Sequence, residues 1–275
     1  MIAEILTKDR PELIPPILKR MDDVEDIYVV YTTNNPDLNQ IDKMIRATKN
    51  KLHVVINDFD GKTSSYRYVW DILGKEDGLF LDDNVWFKPE AVKQIQEQLD
   101  NHREAAMITG WMKMGDYSNK SLQESSKPWK FFLVNNKVID KVKPDIFLPK
   151  GMYDDKQLGI DSWLQGYPVY RDLAIELNRK NVGRPSGIIG LHDSLGGREE
   201  LRAYKNVGWE YFIRKYPFCY LTKEFAVVVG MNRLKEIGKQ ISTGNSFYAD
   251  VLDEIKKTNE AKYDFESHIQ KIYTN

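Results

Sequence analysis

The chain has 275 residues, 41% of them hydrophobic and 29% charged, with a net charge of −1. That balance excludes a disordered chain and a globally basic nucleic-acid binder, and the length suits one large domain or a domain with a short appendage. A single cysteine, Cys219, excludes an internal disulfide and a cysteine-built metal cluster. No apolar run approaches the roughly 18 residues that span a bilayer, and the N-terminus has no basic leader before an apolar core, so a soluble, cytoplasmic chain is expected.

In chain order, Ile2–Leu6 reads as a strand, and Asp9-Arg10-Pro11 opens a helix that Pro15-Pro16 must kink or restart. Ile27–Tyr31 is a second strand. A helix follows over about 36–48, with Leu38, Ile41 and Ile45 on one face. His53–Ile56 is a third strand, 61–73 a helix, and Gly78–Leu81 a fourth strand. Pro89 starts a helix bearing Ala91, Val92, Ile95 and Leu99, before a strand at Ala105–Thr109. Short strands alternating with helices predict an α/β fold whose mostly parallel sheet is covered on both faces.

The pattern loosens after residue 110. The segments 129–135 and 138–142 read as a hairpin around Asn135-Asn136. Residues 143–160 read as a loop leading into a helix with Ile160, Trp163 and Leu164. Residues 178–197 are a long Gly-, Pro-, Asn- and Ser-rich loop of the kind that carries function. An amphipathic helix spans 199–216, and two or three short helices close the chain over 234–273. The expected organisation is one continuous domain with an α/β half over 1–110 and a second half with C-terminal helices over 111–275.

Ligands of such sheets bind beyond the carboxyl ends of the strands, so chemistry is sought there. The sharpest signal is Asp82-Asp83-Asn84, directly after the fourth strand. Adjacent carboxylates at that position suit a hard divalent cation with oxygen ligands, or a turn that caps the next helix. His192, in a glycine-bracketed loop, reads as a late ligand or as a structural histidine. Asp161, in an apolar helical stretch, suits a general base with a raised pKa, or an N-cap. Arg67 suits a phosphate or a solvated helix face. Eight lysines crowd 113–150 against four carboxylates, which fits a polyanion or a solvated face. Trp111, Trp129 and Trp163 are stacking surfaces or core.

Taken in order, these residues resemble the GT-A glycosyltransferases. Thr7-Lys8-Asp9-Arg10-Pro11 is similar to that family's nucleotide-bordering Thr-x-x-Arg-Pro turn. Gly61 to Arg67 is similar to its Gly-x(5)-Arg helix, and Leu81-Asp82-Asp83-Asn84 to its acidic metal motif. Gly159-Ile160-Asp161-Ser162-Trp163-Leu164 looks like a version of its Gly-Glu-Asp-x-x-Leu helix, with Ile160 in place of the Glu. Asn84 likewise replaces the last acidic ligand. The stretch from Arg184 to Arg198 resembles the TET-associated phage DNA-base glycosyltransferases.

The resemblance implies a metal-dependent transferase that moves a sugar from a UDP-sugar, of the glucose or arabinose class, to the hydroxymethyl group of 5-hydroxymethylcytosine in DNA. A phage origin would put it in the host cytoplasm. Asp83, Asn84 and His192 would hold Mn²⁺ or Mg²⁺. Thr7, Arg10, Asp58, Arg67 and Asp82 would border the nucleotide-sugar, and Asp161 would be the base. Lys127, Lys130, Arg179, Lys180, Arg184, Arg198 and Arg202 would meet DNA phosphates. A glycan or small-molecule acceptor on the same fold, and a non-catalytic nucleotide-sugar or DNA-binding module, are the alternatives.

Overall fold

The computed structural model describes residues 1–8, 10–112, 122–179, 198–221, 227–244 and 248–275. Strands β1 (Ile2–Thr7), β2 (Asp26–Thr32), β3 (Lys51–Asn57) and β4 (Gly78–Asp82) run parallel in the lateral order 3-2-1-4. The sheet continues through β8 (Phe131–Val134), which is antiparallel to β4 and to β6 (Met107–Met112). Next comes β9 (Val169–Arg179), parallel to β6, whose far end pairs with the two-residue β5 (Val85–Trp86). The short β7 (Leu122–Glu124) also pairs with β9. A single ten-stranded sheet thus takes strands from both halves of the chain, and β6 runs through residue 110.

Alternate side chains of each strand feed two cores. Ala3, Ile5, Val29, Val54 and Leu81 pack against α1 (Ile14–Leu18), α2 (Leu38–Arg46) and α4 (Ala91–Asn101). Val30, Phe80 and Phe132 face α3 (Lys62–Ile72) and α5 (Asp154–Leu164). The same core takes in α6 (Arg198–Lys215), α7 (Met231–Ser242) and α8 (Ala249–Glu260). Among the described residues, no helix is long and apolar enough to cross a membrane.

Several expectations are corrected. Leu38 is 62% exposed, and Met44 joins Ile41 in the core instead. The hairpin at Asn135-Asn136 does not form. Asn135 accepts from Lys137 N and caps a 3₁₀ turn, while Phe131–Val134 finds both its partners in β4 and β6. The helix expected to emerge from a loop ending near 160 already begins at Asp154. The chain also does not close on helices alone. After α9 (Phe265–His268), β12 (Ile269–Thr274) adds antiparallel to the β3 edge. The remaining pair, β10 (Tyr220–Leu221) and β11 (Val227–Val228), forms a separate ribbon.

Candidate active site

Two glycines set the geometry of the site. Gly61 precedes α3 at φ 94°, and a Cβ there would meet Lys150 Cα at 2.6 Å. Gly151, at φ 72°, would meet Lys62 Cβ at 2.7 Å. Only glycine combines a left-handed backbone with so close an approach. The pair lets the start of α3 abut the turn that leads into α5. Lys62 is thereby held between two acidic groups, 3.2 Å from Asp82 Oδ1 and 3.1 Å from Asp154 Oδ2.

Asp82 ends β4, and its remaining contacts are Tyr66 Oη, donating at 3.0 Å, and Lys130 Nζ at 2.6 Å. Burial works to raise its pKa, but Lys130 and Lys62 outweigh burial and hold the carboxylate well below its usual range. Asp83 is 5% exposed and turns toward β1, where Thr7 Oγ1 donates to Oδ2 at 2.9 Å and Arg10 to Oδ1. Burial pushes its pKa up to about 7, against the pull of Arg10 and of the Thr7 hydrogen bond. Asn84 carries a buried Oδ1 without a hydrogen-bond partner. Beneath them Glu4, in the central strand, is fully buried with neither carboxyl oxygen hydrogen-bonded. Burial, only partly offset by Lys62, raises its pKa well above the usual carboxylate range.

Beside Asp82 opens a cavity of about 250 Å³, lined among others by Lys62, Tyr66, Trp129, Lys130, Asp154 and Asp155. The two adjacent carboxylates start α5, where the positive end of the helix favours negative charge. Their surroundings push them apart. Burial raises Asp154, opposed by Lys62, whereas at Asp155 the effect of burial is overturned by Lys127, which bonds its Oδ2. Trp129 forms one wall, with Lys127 Nζ 4.7 Å from its ring centroid. Two lysines and two carboxylates therefore line one small volume, and Asp82 and Lys127 are ion-paired to them.

The structure brings Thr7, Arg10, Asp82, Asp83 and Asn84 together but not the rest of the expected set. Asp161 is completely buried two turns into α5, held by Tyr216 Oη, by Gln157 Nε2 at 2.7 Å and by Lys215 Nζ at 3.8 Å. Burial raises its pKa as expected, but its side chain has no solvent access and does not line the cavity beside Asp82. Arg67 is buried too. At 3% exposure it donates to Asp71 and to the carbonyls of Pro144, Thr258, Asn259 and Ala261, clamping the C-terminal segment rather than awaiting a phosphate. Asp58 sits at the end of β3, half exposed, with His268 Nδ1 2.8 Å away.

Of the basic residues expected to meet DNA, Lys127 and Lys130 point their charges at Asp155 and Asp82. Arg179 pairs through its backbone with Val85, Arg198 begins α6, and Arg202 is exposed on that helix. His192, Lys180 and Arg184 lie outside the described residues. Asp154, Asp155 and Lys62 escaped the sequence reading. The available signal was a carboxylate pair at a helix first turn, hidden because Lys150 and Tyr153, both left-handed, precede that turn.

No protein-family model matches the sequence, and no curated protein matches it. Solved structures do share the fold. Glucosyl-3-phosphoglycerate synthase from Mycobacterium tuberculosis, in complex with Mn²⁺, UDP-glucose and phosphoglyceric acid, aligns with a TM-score of 0.51 at 11% identity, over 70% of this chain and 74% of that one. Staphylococcus aureus TarS 1-349 gives 0.52 at 14% identity, covering 94% and 90%. The mannosyltransferase PcManGT from Pyrobaculum calidifontis, in complex with GDP-Man and Mn²⁺, gives 0.54 at 9%, covering 97% and 77%. At such identities the likeness concerns the fold, and the fold of this chain is that of the GT-A glycosyltransferases.

Proposed function

We propose that the chain is a glycosyltransferase that moves a sugar from a nucleoside-diphosphate donor to a hydroxyl group held in the cavity beside Asp82. The observation that carries this reading is that Lys62 bridges the acidic strand end, through Asp82, to Asp154 of the carboxylate pair Asp154-Asp155, which lines the adjoining cavity. The neighbouring folds bound to UDP-glucose or GDP-Man support the donor class.

The residues fit a divalent cation. Asp82 is held ionised, and the Oδ1 of Asn84 is a buried acceptor that lacks a donor. Mn²⁺ or Mg²⁺ binds through few protein ligands and completes its shell from phosphate oxygens. Asp82 and Asn84 would hold the ion, with Asp83 buttressing them through Thr7 and Arg10. Bound there, it neutralises charge on the departing diphosphate.

The acceptor oxygen attacks the anomeric carbon, the sugar–phosphate C–O bond breaks, and the nucleoside diphosphate leaves. The proton passes to a carboxylate of the Asp154-Asp155 pair. Asp155, with its side chain 32% exposed against 11% for Asp154, is the one that an acceptor hydroxyl can reach. Attack opposite the leaving group inverts the anomeric centre. Thr7, Arg10 and Asp58 would border the nucleotide along the ends of β1 and β3.

The finer reading, a hydroxymethylated pyrimidine in DNA as acceptor, rests on the sequence resemblance. A glycan or small-molecule acceptor is favoured by one observation: Lys127 and Lys130 are bound to carboxylates around the cavity instead of lying free for DNA phosphates. The test is nucleotide release from a panel of UDP- and GDP-sugars with Mn²⁺, with and without DNA containing 5-hydroxymethylcytosine, and with Asp82→Ala as control. Release that needs both metal and modified DNA supports the DNA acceptor. Release indifferent to DNA assigns a glycan or small molecule, and absence of release with every donor overturns the enzyme reading in favour of a binding module.

A further inference from the structure

Two lysines converge on the single carboxylate of Asp82, and they differ in what else they hold. Lys62 also has Asp154, at 3.1 Å. For Lys130, Asp82 is the only carboxylate within ion-pair distance among the described residues. Lys130 cannot drift away from it. Its carbonyl accepts from Asp82 N at 3.1 Å, and the next residue, Phe131, is in register with Leu81 across the β4–β8 ladder.

Its side chain is 29% exposed, so it is partly desolvated yet open to the cavity that it lines. An ammonium so placed is favoured by an anion within reach. When Asp82 turns to a divalent cation, Lys62 keeps Asp154 but Lys130 is left without a counter-charge. The ligand that accompanies the cation carries phosphate oxygens to that location, and a lysine is a compact charge that reorients readily on its flexible stem.

We propose that Lys130 is an exchangeable counter-ion, paired with Asp82 before the donor arrives and transferred to a phosphate of the nucleoside diphosphate once a divalent cation occupies Asp82. The proposal rests on the glycosyltransferase reading and adds a donor-binding residue to it. It also makes the lysine a competitor of the metal. Removing its charge therefore has two effects of opposite sign, which a purely structural role would not produce.

The experiment compares wild type, Lys130→Met, Lys130→Gln and Lys130→Arg, each checked for folding by thermal denaturation. Binding of Mn²⁺ alone is followed by electron paramagnetic resonance of the free ion. Binding of UDP and GDP at saturating Mn²⁺ is followed by calorimetry, with the unphosphorylated nucleosides as a control. In Lys130→Met and Lys130→Gln, Mn²⁺ alone binds more tightly, while the diphosphate binds about ten- to hundredfold more weakly, the loss of one charge-assisted hydrogen bond. Nucleoside binding stays unchanged, and Lys130→Arg recovers most of the diphosphate affinity. If wild type binds a diphosphate and the neutral variants change neither affinity, or shift both in the same direction, the counter-ion role is overturned and the function stands. If wild type binds neither UDP nor GDP with Mn²⁺, both fall together.

Discussion

Asp155 and Asp161 lie on the same helix, six positions apart, and separate two meanings of a buried carboxylate. Asp155 faces the cavity, ionised by Lys127, whereas Asp161 has every oxygen engaged by Tyr216, Gln157 and Lys215. Removal of charge at Asp155 also releases Lys127, but its main effect should fall on the chemical step. Asp155→Asn is expected to lower turnover about 10²- to 10⁴-fold with nucleoside-diphosphate affinity retained. Asp161→Asn is expected to lower the melting temperature and to leave the turnover of the folded enzyme close to wild type. Steady-state kinetics beside thermal melts decide the matter, and the opposite pattern would return the base to Asp161. A raised pKa was the correct expectation for Asp161, but burial raises a pKa whether or not a substrate can arrive. Access is the property that a sequence does not carry.

At the scale of elements, close contacts between backbones hold the site together. Gly159, on the face of α5 that meets the loop before β8, would place a Cβ 2.1 Å from Ser126 O and 2.6 Å from Lys127 Cα. Gly159→Ala must push α5 away from the loop that carries Lys127 and Trp129. It is expected to cost roughly 1–3 kcal/mol of stability and to lower activity as well, read by denaturant unfolding and by turnover. A variant with wild-type stability would mean that the loop yields without cost.

Arg67 ties α3 to the end of α8 through the carbonyls of Thr258, Asn259 and Ala261, and to the loop before α5 through that of Pro144. Arg67→Ala is expected to cost about 3 kcal/mol by stranding those acceptors, while donor KM in the surviving folded protein is unchanged. A raised KM with intact stability would instead restore Arg67 to the nucleotide site. Legibility differed between elements for a physical reason. The strands β1 to β4 are mostly apolar, with Glu4 the buried exception in β1, because both of their faces are covered. β9 alternates, with Leu173, Ile175 and Leu177 inward, a period-two signal that was present but lay beside the loop-like stretch that follows. β12 is mostly exposed and pairs on one edge only, so hydrophobicity does not mark it.

At the scale of the molecule, an ionic network joins the helices of the second core. Lys215 Nζ lies 2.8 Å from Asp145 and 3.8 Å from Asp161, all three essentially without solvent access, while Tyr211 and Gln157 complete the hydrogen bonds. Lys215→Met would leave two buried carboxylates facing each other without a cation. The expected loss is about 3–5 kcal/mol, measured by chemical denaturation at neutral pH and diminishing toward acid pH as Asp161, whose pKa burial raises, takes up a proton. A loss that does not depend on pH would point to packing alone.

The sequence by itself determined the alternation of strands and helices, the parallel sheet that follows from it, and the acidic residues at the end of β4, because these depend on neighbours within a few positions along the chain. Only the tertiary structure decided that Lys62 bridges Asp82 to Asp154, that Asp155 rather than Asp161 faces the cavity, and that Arg67 holds the C-terminal segment. Those outcomes depend on backbones that approach across as many as 194 positions, and on burial, which the whole fold creates and no local pattern records.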